Sequence, residues 1–211
     1  MSRIIDITME LSPDMVIWPG SEPFQVFPIC SIEEGAIANS SRFKMGMHTG
    51  THVDAPLHFV ADGKCTATVE LGKFMGKAKV FPIDTDHNII SADLEKFDIC
   101  KGDTILLNVA KNNRYLLDQQ FHEDYICLDA DGADYLVRKQ VKAVGINYYS
   151  IEAFHYLPDC PVHTSLLKNE IAIFEGLNLN GVAQGEYSYV CLPLKMRGGN
   201  GSPVRAVLIE E

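Results

Sequence analysis

Apolar and polar positions alternate through much of this chain, and helical periodicity surfaces only in short stretches. Ile4-Ile-Asp-Ile-Thr8 has the period-two pattern of a strand with one buried face. Pro13 and the group Trp18-Pro19-Gly20 then mark loop or turn. Residues 24–29 are apolar and β-prone, but two prolines demote them to an edge strand or extended loop. Residues 41–47 alternate again. Short buried strands are expected at 80–83 and 104–109, with a brief candidate at 125–128. Ser91 can cap a short helix over 92–97, and Lys101-Gly102-Asp103 is a turn. Residues 130–140 read as a helix with Ala133, Leu136 and Val137 inward, followed by a strand at 141–146. Leu166-Leu167 belong to a short helix or turn. A buried strand at 171–174 ends at Glu175, and 187–192 and 204–209 are closing strands.

This pattern predicts a single α/β or α+β domain over 1–211, built on a mixed sheet or barrel. The crossover from 104–109 through 130–140 to 141–146 makes two of those strands candidates for parallel pairing. Composition fits a globular chain of this size, with 46% hydrophobic and 22% charged residues. A net charge of −10 argues against nucleic acid and anionic membranes as partners, since phosphates repel an acidic surface. No run approaches the roughly 18 apolar residues that span a bilayer. Arg3, Asp6 and Glu10 leave no apolar centre for a signal peptide, so a cytoplasmic protein is expected. The six cysteines are scattered, with no C-x-x-C pair, and read as reduced, mostly buried thiols.

The chemistry concentrates in one place. Three of the seven histidines fall within His48-Thr-Gly-Thr-His52-Val-Asp54-Ala-Pro-Leu-His58, with Asp54 among them. All four side chains occupy even positions, which share a face if the backbone is extended. Imidazole nitrogen and carboxylate oxygen suit Zn²⁺, and also Mn²⁺, Fe²⁺ or Ni²⁺. Three such ligands leave room for a water whose pKa falls toward ~7. Spacing alone leaves a hydrogen-bonded polar cluster as the alternative. It also leaves Glu175 readable as a plain carboxylate at a strand end, twelve residues after His163.

The run H-T-G-T-H-V-D-A-P-L-H-F at 48–59 closely resembles the signature of the cyclase family of metal-dependent hydrolases, which includes bacterial kynurenine formamidase and isatin hydrolase. Other segments match in order: Asp6 to Thr8 with Trp18-Pro19-Gly20, Lys101 to Asp103, Gly145-Ile146, His163 with Leu166-Leu167 and Glu175-Gly176-Leu177, Leu192 to Leu194, and Gly201 to Arg205. The resemblance thus spans nearly the whole chain. It implies a swivelling β/β/α fold, assembled as a homodimer or homotetramer. It implies a first metal on His48, His52 and Asp54, with Asp54 bridging to a second on His163 and Glu175. Two zinc ions are expected, with manganese as the alternative. His58 would donate and accept the proton, and Trp18 would contact substrate. From its residue type alone, Trp18 reads equally well as a loop anchor.

Two positions depart from the family pattern. Ser21 follows Trp-Pro-Gly where formamidases usually carry Asp, and Asn147 follows Gly145-Ile146 where the family usually carries Asp. The 147–156 loop is expected to line the pocket. The expected reaction is metal-dependent hydrolysis of a small amide or formamide, such as N-formylkynurenine to kynurenine and formate. The rivals are isatin-type lactam or ester hydrolysis, ring formation with the same metal, and a non-catalytic metal-binding scaffold. A free base at His58 argues against the scaffold.

Overall fold

The computed structural model describes residues 2–118, 120–156 and 159–210. In chain order its elements are β1 (Arg3–Asp6), β2 (Gln25–Cys30), β3 (Ser40–Lys44), β4 (His52–Asp54), β5 (Met75–Ile83), α1 (Ser91–Leu94), β6 (Thr104–Val109), α2 (Ala110–Tyr115), α3 (Ala130–Lys139), β7 (Ala143–Ile146), α4 (Pro161–Lys168), β8 (Ala172–Glu175), β9 (Gly185–Val190), β10 (Gly201–Pro203) and β11 (Val207–Glu210). Nine strands form one mixed sheet in the order β1-β11-β9-β5-β6-β7-β8-β4-β10, while β2 and β3 make a separate hairpin. The four central strands β5, β6, β7 and β8 are parallel, and the flanking pairs are antiparallel. The α/β expectation and the parallel pairing of 104–109 with 141–146 both hold.

Side-chain alternation explains the layering. Along β6, Ile105, Leu107 and Val109 face one core with Leu136 of α3 and Val162, Leu166 and Leu167 of α4. Leu106 faces a second core. A strand buried on both faces reads as a continuous apolar run, which is how 104–109 reads. The second core joins Val53 of β4 to Leu208 of β11, strands far apart in the sheet order. The sheet therefore curls, and its concave side is filled by its own side chains. No helix among the described residues is long and apolar enough to cross a membrane.

Several expectations shift. Strand β5 begins five residues before the expected 80–83, because β9 pairs with its exposed first half. Of the closing run 204–209 only 207–209 lie in a strand, β11, and 204–206 connect it to β10. Helix α2 has no apolar period to announce it. Its Asn112 is fully buried and bonds both the N–H and the C=O of Ile126. Residues 125–128 therefore form no strand, since side chains and isolated contacts meet their backbone needs. Of the six cysteines, all free, only Cys127, Cys160 and Cys191 are buried, so the thiols are not mostly buried.

Helix α3 starts where Asp129 caps it, accepting from Asp131 N–H at 3.1 Å. It stops at Gln140 in the left-handed conformation, with Arg138 and Lys139 in its last turn facing the negative helix end. Its first turn packs closely on Ile89: a Cβ at Gly132 would lie 2.5 Å from the Ile89 carbonyl oxygen and 2.7 Å from Leu128 Cδ1. Two effects of opposite sign meet there. Alanine is the better helix former by about 1 kcal/mol, whereas overpacking against backbone costs about 1–3 kcal/mol. Gly132→Ala is expected to lower the urea midpoint, and a raised midpoint would show that α3 can slide away from Ile89.

Candidate metal centre

The histidine cluster does not lie on one extended strand. Only His52 and Asp54 do, two residues apart on β4 and therefore on one face. His48 stands in the preceding turn, and His58 ends a 3₁₀ turn at 56–58 that opens with Pro56. The backbone folds both back over the strand. Gly50, at φ 65°, allows the first reversal. His58 then stacks on His48 with ring centroids 3.9 Å apart.

Neighbouring strands supply the rest. β4 lies between β8 and β10, and its register sets His52 opposite Glu175 and Asp54 opposite Gly201. Residues directly opposite share a face, so Glu175 joins His52 and Asp54. A Cβ on Gly201 would sit 2.4 Å from the His48 ring, so only glycine leaves that ring its place. Asn200 Oδ1 lies 3.1 Å from His48 Nε2, and Asp54 Oδ1 is 2.7 Å from His48 Nδ1. From α4, His163 brings Nε2 to 3.1 Å from Glu175 Oε1 and 3.5 Å from Asp54 Oδ2. Six of the seven expected site residues thus meet around Asp54.

Among the described residues, two donor groups have ligand atoms all within 4.8 Å of one another: His48, Asp54 and His58, and His52, Asp54 and Glu175. Asp54 belongs to both. This division differs from the expected pairing of His48 with His52 and of His163 with Glu175, although the shared carboxylate is the same. His52 Nδ1–H donates to Gly50 O at 2.9 Å, so in the neutral ring, the form that ligates a metal, the lone pair is on Nε2. That nitrogen is 3.1 Å from Glu175 Oε2, an ion-pair distance, but it makes no hydrogen bond of acceptable geometry. Asp54 Oδ2 is likewise buried without a hydrogen bond. Unpaired buried groups cost about 1–3 kcal/mol each. Two bare donors facing the same space, on nitrogen and carboxylate ligands, are what a divalent cation satisfies, so the residues fit a metal ion.

Charge follows burial and neighbours. Burial opposes ionisation of Asp54, but the histidines 48, 163 and 52 around it hold the carboxyl well below its ordinary range. Glu175, pushed up by burial and by Asp54, is brought down to about 2 by His163 and His52. Burial also resists charge on His52 and His163, yet the carboxylates beside them raise both imidazoles. At His58 burial outweighs the pull of the Asp54 carboxylate, and with His48 and His163 nearby it lowers the imidazole to about 4. It is therefore a neutral imidazole at pH 7, the form that accepts a proton.

Above these donors lies a cavity of about 300 Å³, walled by Trp18, Phe59, Tyr149 and Ala153, with Ser21 at one side. Trp18 lines the cavity, and its ring also packs on Phe121 and Phe154 with centroids 5.4 and 5.2 Å apart, as a loop anchor would. The 147–156 loop lines the cavity only in part. Tyr149, Ser150, Glu152 and Ala153 face it, whereas His155 points outward beside Glu123. Asn147 is buried elsewhere, bonding Val109 N–H and C=O. Its departure from the family pattern is therefore structural, while Ser21 faces the cavity. A wider groove of about 900 Å³ lined by Asp6, Leu11, Leu194 and Arg205 carries none of the candidate donors. Sequence reasoning missed Glu152, Asn200 and the role of Gly201, none of which carries a local signal.

The Cyclase family model matches residues 5–153. Kynurenine formamidase from Bacillus anthracis is 32% identical over 207 residues, covering 98% of this chain and 97% of that protein. A solved structure described as a potential metal-dependent hydrolase with cyclase activity superposes with a TM-score of 0.86 at 32% identity, over 100% of this chain and 99% of that one. Isatin hydrolase A from Ralstonia solanacearum shares the fold, with a TM-score of 0.84 at 24% identity over 100% of this chain and 92% of that one.

Gly201→Ala should displace the His48 ring from Asp54. We expect a folded protein with a lowered melting temperature and weakened metal retention after dialysis. Unchanged metal content would mean that β10 yields rather than the ring.

Proposed function

The chain belongs to the Cyclase family of metal-dependent hydrolases, and on that premise we propose that it cleaves the C–N bond of a small aryl formamide, as in N-formylkynurenine to kynurenine and formate, a step of tryptophan catabolism. The observation that carries this reading is a cavity with an aromatic wall set directly over a convergent histidine and carboxylate floor. A planar ring fits against Trp18 and Phe59, and the formyl carbonyl then reaches the donors below. In this reading His48, His52 and Asp54 would hold one divalent ion, and Asp54, His163 and Glu175 would hold a second. Zinc is the preferred ion and manganese the alternative that the same donors accept.

A bound divalent cation supplies Lewis-acid activation of water and of the carbonyl. The chain's own residues do the remainder. Phe59 stacks on His163 at 4.8 Å and closes that side of the cavity to solvent. Trp18, braced by Phe154, orients the aryl ring. His58, neutral and stacked on His48, takes the proton of the attacking water at an imidazole nitrogen. It then returns that proton to the leaving aryl amine.

Purified protein should hydrolyse aryl formamides, lose that activity on chelation and regain it with Zn²⁺ or Mn²⁺. Full activity after chelation would sink the mechanism, and opening of isatin without formamide turnover would move the substrate to the lactam class. His52→Ala should lose both metal and activity. His58→Ala should keep the metal while kcat falls about 10²–10⁴-fold, the usual share of a general base.

Residues 1–211 are proposed to act as one catalytic domain, in the cytoplasm, where six unpaired thiols are stable. We also propose a homodimer built on the β2–β3 hairpin. A two-stranded hairpin is marginal alone, and this one exposes Val26, Ile29 and Phe43, an apolar surface of the kind that marks an interface. Sedimentation velocity should find a dimer, and Ile29→Lys with Phe43→Glu should yield a monomer. A wild-type monomer at micromolar concentration would refute it.

A further inference from the structure

Glu152 is an ionisable group buried to 2% exposure, and nothing in the proposed chemistry uses it. Its carboxylate accepts three hydrogen bonds, from His163 Nδ1–H at 2.7 Å, His163 N–H at 3.2 Å and Val162 N–H at 2.9 Å. The two backbone donors belong to the first turn of α4. There Pro161 has no N–H, and Cys160, in the left-handed conformation at φ 35°, provides no side-chain cap. Glu152 therefore caps α4 from the loop that leads into it, ten residues before Val162, and holds the ring of a residue in that turn. The same loop reaches across the site a second time, where Ile151 N–H donates to Glu175 Oε1 at 2.7 Å. The Glu152 backbone carbonyl is itself held by the Tyr125 hydroxyl.

We infer that Glu152 is a positioning residue for the metal centre: it keeps the His163 proton on Nδ1 and aims Nε2 at Asp54 and Glu175. This rests on the reading of His163 as a ligand. A carboxylate behind a ligating imidazole fixes the tautomer and raises ligand basicity, and its loss typically lowers metal affinity 10–100-fold. Glutamine keeps the size of Glu152 but turns an NH₂ toward a set of three donors, so it cannot serve all of them.

The test is metal stoichiometry and chelator competition with Zn²⁺ on the full chain. Wild type should bind two equivalents and His163→Ala one. Glu152→Gln should bind the His163-dependent equivalent 10–100-fold more weakly and leave the other unchanged, with the melting temperature of the metal-free protein followed alongside. A folded Glu152→Gln protein with both equivalents at wild-type affinity overturns the inference while leaving the two-metal reading intact. Failure of His163→Ala to lose an equivalent overturns that reading instead, and the inference with it. Wild type labelled with ¹⁵N-histidine and loaded with Zn²⁺ decides the matter even if Glu152→Gln does not fold. His163 should show an exchange-protected Nδ1–H with metal on Nε2. Metal on Nδ1 would refute the role of Glu152.

Discussion

Two carboxylates, Asp54 and Glu175, lie buried together with oxygens within 4.8 Å of one another and of His52, and much of the structure can be understood as making that tolerable. Like charges in a site shielded from water repel strongly, and each lone carboxylate would sooner take up a proton. Histidines on three sides prevent this, as the low pKa of Glu175 indicates. The residual imbalance, an unbonded Asp54 oxygen and an unbonded His52 nitrogen, is what a cation resolves. Breaking such an arrangement by removing one partner costs more than the arrangement itself contributes.

The fold holds these groups on paired strands and a packed helix. β4 is only three residues long, yet it is paired on both sides, so its register cannot slip without moving His52 and Asp54 away from Glu175 and Gly201. The turn before it is clamped by Thr51, whose hydroxyl donates to Gly176 O and accepts from Met9 N–H. The fourth side is α4, fixed to the sheet by Leu166 and Leu167 in the larger core. Strand pairing, helix packing and the loop at 147–153 thus converge on one small volume.

The cavity wall sits on less constrained elements. Trp18 comes from a loop, Phe121 and Phe154 from others, and they hold each other by ring contacts rather than by sheet register. This division lets the floor remain constant while the wall changes. Ser21, just after Trp18-Pro19-Gly20, faces the cavity from the same loop. Asn147 does not, because its amide is consumed in bracing β6.

What could be read from the sequence was whatever the local chain dictates. The burial of β6, the span of α3 and the spacing of His52 and Asp54 on one strand face follow from backbone periodicity. The long signature at 48–59 added His48 and His58, although the even-position argument for them fails once the strand proves only three residues long. Resemblance to a family, rather than spacing, raised His163 and Glu175 above ordinary polar residues. Only the tertiary structure decided that Glu175 stands across from His52, that Gly201 makes room for His48, that Asn112 replaces a strand partner at 126, and that Glu152 stands behind His163. Each of these depends on strand register or on two loops meeting in space. Contacts between residues far apart in sequence leave no periodic trace along the chain, since the energy that selects them is released only when the separate elements pack together.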